Sequence, residues 1–249
     1  MTTMNLQKTL LFFCLPGLAI FLLFSVLYKK LVSIGIPIHW ATYMCLWAPL
    51  LALFVLVLCI FAMSKQKASD FFWINKLNFK QVLIVLGALL VVQILETALG
   101  FTRPLLASLP GFHVPDFFPD LFRVDTEFKI PMESFLAMNL SGNIFPLVFF
   151  GIWILTNIVC EEVLWRGYAL PRMEKHFGKW GWLVNGLLWN LAIHFFFRWS
   201  LITLIPVSLA VPYLSQKYKS LWPGIIIHGG GNVLIYALLI PSYFAYGIG

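Results

Sequence analysis

Apolar residues in this chain come in long unbroken runs and not in alternation. Residues 9–28 carry no charge, with Lys8 before them and the pair Lys29-Lys30 after. Further runs cover 40–63, 82–99, 180–197, 201–214 and 221–240, and another starts at 144 and runs into a pair of glutamates. Most are near the roughly 20 residues a helix needs to cross a hydrocarbon core, and none has the two-residue period of a barrel strand. The pattern predicts an all-α fold: a polytopic transmembrane helical bundle of about seven to eight spans enclosing an intramembrane polar cavity. It predicts one membrane domain over 1–249, with N-terminal spans and a Pro-rich loop at 101–143 making up 1–143, and core spans over 144–240. The first run is too long for a signal peptide and lacks a small-residue cleavage site, so it reads as a retained span.

The connectors refine this. Pro104, Pro110, Pro115, Pro119 and Pro131 forbid a continuous helix through 101–143. Its aromatics (Phe112, Phe117, Phe118, Phe122) suit a segment that lies on the membrane or folds back as a cap. The aromatic segment 70–74 suits the membrane surface, with Trp73 at headgroup depth.

Composition agrees: 61% of residues are hydrophobic and 11% charged, against about 25% charged in soluble domains. The formal net charge of +7 is a topology signal and not a nucleic-acid one, because lysine and arginine sit mostly between apolar runs. With seven spans and the N-terminus inside, eleven of them fall on inner segments and six, including Lys129, on outer ones. That bias predicts a multi-pass protein of an inner or plasma membrane with its glutamate pair toward the cytoplasm. Cys14, Cys45, Cys59 and Cys160 lie in apolar runs without a Cys-x-x-Cys pair, and read as small buried residues.

The candidate chemistry lies where charge interrupts apolar sequence. From 144 to 160 there is no charge; then come Glu161, Glu162 and Arg166. A charge at membrane depth costs a few kcal/mol or more, and is retained mainly at bundle interiors and water-filled cavities. The bland alternative is a helix-end ion pair at the surface. Three runs each carry a polar pair four residues apart: Asn157/Glu161, Asn190/His194 and His228/Asn232. Residues so spaced share a helix face, so three faces could bring one carboxylate, two imidazoles and three amides to one cavity. Glu162/Arg166 lies about 100° round the helix from Glu161 and is expected to point elsewhere, as a supporting ion pair. Glu96, in the third run, suits an internal ion pair or hydrogen bond as well as a functional role. Gly229-Gly230-Gly231 makes a poor helix interior and suits close approach of another backbone or a peptide.

A carboxylate away from bulk water is a competent base toward a water molecule, an imidazole can share that task, and imidazole and amide donors can hold an oxyanion. Glu161, His194 and His228 would equally suit zinc with an open position for water. The residues leave metal-free and zinc mechanisms both open. The chain has no His-Glu-x-x-His helix, Gly-x-Ser-x-Gly elbow or phosphate-binding glycine loop.

At these residues the chain resembles the CAAX protease and bacteriocin-processing family of intramembrane proteases, which includes the type II CAAX prenyl endopeptidases. Its Glu-Glu-x-x-x-Arg motif matches Glu161, Glu162 and Arg166; its Phe-x-x-x-His motif matches at His194 but has Asn190 in place of Phe; its His-x-x-x-Asn motif matches His228 and Asn232. The resemblance implies hydrolysis of a membrane-associated peptide or protein substrate. In it Glu161 and His194 activate water, His228 and Asn232 hold the oxyanion, and Glu162 and Arg166 support. Two rivals stay open: a non-enzymatic immunity or scaffold protein of the same fold, and a proton-coupled transporter using Glu96, Glu161 and the histidines. One difficulty accompanies the reading. His194 lies deeper in its run than His228, so tilted helices or a fourth span continuing past Gly167 are needed to bring them level.

Overall fold

The computed structural model describes residues 3–119, 122–123, 134–140 and 142–246; Lys129 and Pro131 lie outside them. Helix α1 (Leu6–Leu22) starts at Asn5, whose side chain accepts from the Lys8 amide at 3.0 Å. It runs through a π-helical segment (Leu23–Tyr28) into α2 (Lys29–Ser33). Helix α3 (Ile38–Ser64) and the short α4 (Ala68–Phe71) follow. Helix α5 (Phe79–Ala98) opens with a capping box in which Asn78 and Gln81 each bond the other's backbone. After α6 (Thr102–Ala107), a small antiparallel hairpin pairs Ser134 with Asn139 and Phe135 with Met138.

The chain then makes α7 (Phe145–Glu162), a π-helical segment (Val163–Ala169) and α8 (Leu170–Phe177) without a break. The fourth span therefore does continue past Gly167. Gly178, at φ +56, turns the chain into α9 (Gly181–Leu188), a second π-helical segment (Trp189–Ile193) and a 3-10 segment (His194–Ser200). Helices α10 (Ile205–Tyr218) and α11 (Trp222–Tyr246) complete the described chain.

Among the described residues five stretches are long and apolar enough to cross a membrane: Leu6–Ser33, Ile38–Ser64, Phe79–Ala107, Phe145–Ser200 and Trp222–Pro241. The fourth holds two of the expected spans, folded back at Gly178, and the expected sixth is the 14-residue α10. The protein is an all-helical integral membrane bundle, with lipid the solvent for its many exposed leucines, valines and isoleucines.

Connectors gather in two groups. The segment after α4 does not lie along a surface: Phe71, Phe72 and Trp73 are buried. The Trp73 amide donates to the Gly167 carbonyl at 3.0 Å, and the Leu221 amide donates to the Trp73 carbonyl at 2.9 Å. This strap is wedged between the π-helical turn after α7 and the start of α11, because its backbone finds partners there that a membrane surface could not supply. In the other group the insertion after α6 folds back as a cap. Trp199 Nε1 donates to the Phe122 carbonyl at 2.7 Å, Arg198 bonds the Gly111 carbonyl, and Phe118 packs edge-on against Trp199.

Candidate active site

Glu161 and Glu162 close α7, and being adjacent they face different neighbours. Glu161 faces the second π-helical segment. Its Oε2 accepts from Trp165 Nε1 at 3.1 Å and from Trp189 Nε1 at 2.5 Å. Glu162 faces α11. Its Oε1 accepts from Arg166 Nη1 at 3.1 Å and from His228 Nδ1 at 3.0 Å. Glu162 and Arg166 are fully buried and Glu161 nearly so. Such charges are tolerable only as a hydrogen-bonded set. Glu162 thus does not point away from the site, as its angular offset suggested. The same offset delivers it to His228, because α11 packs along that side of α7. Gly224 permits the approach: a Cβ there would overlap the Glu162 carboxylate.

Trp189 organises the rest. The Arg166 guanidinium lies over its ring at 3.9 Å, and the imidazoles of His194 and His228 meet it edge-on at 4.8 and 5.2 Å. Residues 189–193 are π-helical, and a π turn brings i and i+5 together. Trp189 therefore sits against His194, where α-helical spacing had put Asn190. α1 supports this turn closely: a Cβ on Gly17 would overlap the Ala192 carbonyl.

Two of the amides bond backbone carbonyls. Asn190 Nδ2 donates to the Leu201 carbonyl at 2.9 Å, tying down the chain beyond the irregular backbone at Phe197. Asn232 Nδ2 donates to the His228 carbonyl at 3.0 Å on its own helix. Asn157 Oδ1 is buried without a hydrogen-bond partner among the described residues and does not bond Glu161. The expected ring of one carboxylate, two imidazoles and three amides gains a second carboxylate, a guanidinium and two indoles, while Asn190 and Asn157 are turned away from Glu161 and Asn232 stays beside His228. Side-chain amides satisfy nearby backbone carbonyls readily, whereas the buried Glu161 needs the strong donors that indoles supply. Trp165, four residues after Glu161, could have been found by helical spacing. Trp189 could not, because no spacing rule anticipates a π turn.

The three glycines also differ from expectation. Cβ atoms on Gly229, Gly230 and Gly231 would meet Ile158, Leu89 and Gln93, so the glycines serve the packing of α11 on α7 and α5.

Zinc would require Glu161, His194 and His228 to converge. Trp189 packs edge-on against both imidazoles and, with Trp165, holds Glu161 Oε2. Among the described residues no group of three His, Cys, Asp or Glu side chains is placed to hold a metal ion. The donors as arranged do not fit one.

The class this defines is a helical integral membrane protein with a buried carboxylate–imidazole centre. Comparison with known proteins agrees. Residues 143–234 match the family model described as type II CAAX prenyl endopeptidase Rce1-like, so over this segment the resemblance read from the motifs holds. The chain is also 32% identical over 120 residues to the UPF0177 protein YbdI of Lactococcus lactis subsp. lactis (strain IL1403). That match covers 45% of this chain and 64% of the relative's length. No solved structure matches.

Proposed function

We propose that the protein is an intramembrane endopeptidase that hydrolyses peptide bonds of membrane-associated substrates with water activated by Glu161 and His194. Both indoles bond Oε2 of Glu161, leaving Oε1 for the water. His194 Nδ1 is buried without a hydrogen-bond partner among the described residues and can take part of the load. The water's oxygen attacks the scissile carbonyl while its proton passes to the Glu161–His194 pair, and the same proton then goes to the leaving amine. His228 is oriented by Glu162 through Nδ1; in its protonated form it donates from both nitrogens, so its Nε2–H, together with the second Asn232 N–H, holds the oxyanion. Arg166 pairs with Glu162 at 3.1 Å and so fixes the carboxylate that holds His228.

The observation that carries this reading is the 3.0 Å contact between Glu162 and His228, which joins the first and third motifs across two helices. The family description makes a prenylated CAAX peptide the first substrate to try. The lysine and arginine bias favours an inner or plasma membrane with the site toward the cytoplasm.

The test is cleavage of a quenched peptide library, with a farnesylated CAAX peptide included, by purified wild type, Glu161→Ala and His194→Ala. Loss of about a hundredfold or more in both variants is expected for removal of a general base. Equal turnover in all three would end the proposal. A strong chelator should leave wild-type turnover unchanged.

A further inference from the structure

A second polar group lies beside the site on elements outside the family match. Gln93 Nε2 donates to Glu96 Oε2 at 3.3 Å, leaving Glu96 Oε1 buried without a partner among the described residues. Arg103, two turns on, has a buried Nε in the same condition. No ion pair joins Glu96 and Arg103 within 4.0 Å among the described residues.

The elements place this group against both histidine-bearing segments. Helix α5 packs on α11 where Gln93 faces Gly231, three residues past His228. Helix α6 packs on the 3-10 segment that begins at His194, and Thr102 bonds Thr203 at 3.3 Å. A buried acceptor and a buried donor without partners each cost free energy, and more so at membrane depth. Such a pair is satisfied by something that carries one donor and one acceptor. An extended peptide backbone does, with its N–H and C=O.

We propose that Glu96 Oε1 and Arg103 Nε form a substrate subsite that binds the backbone of a peptide chain entering between α5–α6 and the two histidines. Glu96 accepts a backbone N–H of the peptide and Arg103 donates to a backbone carbonyl. This deepens the endopeptidase reading and rests on it for the identity of the ligand. The bland alternative, a water molecule filling the gap, leaves peptide affinity indifferent to either residue.

The experiment separates binding from catalysis. In nanodiscs, a fluorescent farnesylated CAAX peptide is titrated against Glu161→Ala protein, alone and combined with Glu96→Leu, Glu96→Gln, Arg103→Leu or Arg103→Gln. Loss of a hydrogen bond to a charged group predicts Kd weaker by about tenfold or more in the leucine variants. The glutamine variants, near-isosteric at Glu96 and polar at Arg103, guard against misfolding and should show a smaller loss in the same direction. In the Glu161-containing protein the same substitutions should raise KM far more than they lower kcat. Unchanged Kd in every variant would overturn the subsite. If wild type cleaves nothing yet the peptide binds and Glu96→Leu weakens it, the endopeptidase reading falls and the subsite stands.

Discussion

Substituting Gly224 with alanine tests whether the Glu162–His228 contact is part of the folded architecture. The added methyl would occupy the place of the Glu162 carboxylate, which is buried and bonded to Arg166 at 3.1 Å and to His228 at 3.0 Å. Something must move, and the carboxylate cannot do so without giving up at least one of those bonds. Overpacking a filled site costs about 1–3 kcal/mol. A lost hydrogen bond to a charged group costs about 1.5–3 kcal/mol, while alanine recovers about 1 kcal/mol over glycine in a helix. The net is a destabilisation of about 1.5–5 kcal/mol, or a Tm lower by roughly 3–20 °C for a chain of this size. Gly151→Ala is the control. Its Cβ would meet only the Tyr236 ring at 3.9 Å, an ordinary contact. It should stabilise by about 0.5–1 kcal/mol through helix propensity. Thermal unfolding of both variants in the same detergent decides the matter. If Gly224→Ala melts at or above the wild-type temperature, the packing of α11 on Glu162 described above is wrong.

Other substitutions probe the neighbouring contacts. Trp165→Phe and Trp189→Phe each remove one donor to the same oxygen of Glu161, so a double-mutant cycle should show coupling of at least about 0.5 kcal/mol in unfolding free energy; strict additivity would mean the indoles do not share it. Arg166→Lys keeps the charge but loses the planar group that lies 3.9 Å over Trp189 while bonding Glu162, and is expected to lower unfolding free energy by about 2 kcal/mol; wild-type stability would deny the stacked geometry. Asn190→Leu leaves the Leu201 carbonyl without its donor and should cost about 1–3 kcal/mol, read as a lower Tm, whereas an unchanged Tm would mean that tie carries no stability.

The sequence by itself determined the membrane class, the helical content and the residues of the centre. Unbroken apolar runs admit no other fold class, and a charge amid 20 apolar residues is too costly to be incidental. Glu161, Glu162, Arg166, His194 and His228 were legible for that reason, and the comparisons agree at the level of family. Only the tertiary structure decided who touches whom. Helical spacing assumes 3.6 residues per turn, and the segments after Glu162 and before His194 are π-helical. The wider turn replaces Asn190 with Trp189 beside His194, and the packing of α11 assigns Glu162 rather than Glu161 to His228. The strap at Trp73 and the cap at Phe118 likewise depend on backbone partners from distant segments. A pattern along one chain records which side chains are too polar for lipid. Which partners relieve them is set by how the helices cross, and that is fixed by close contacts at positions such as Gly17 and Gly224, not by local composition.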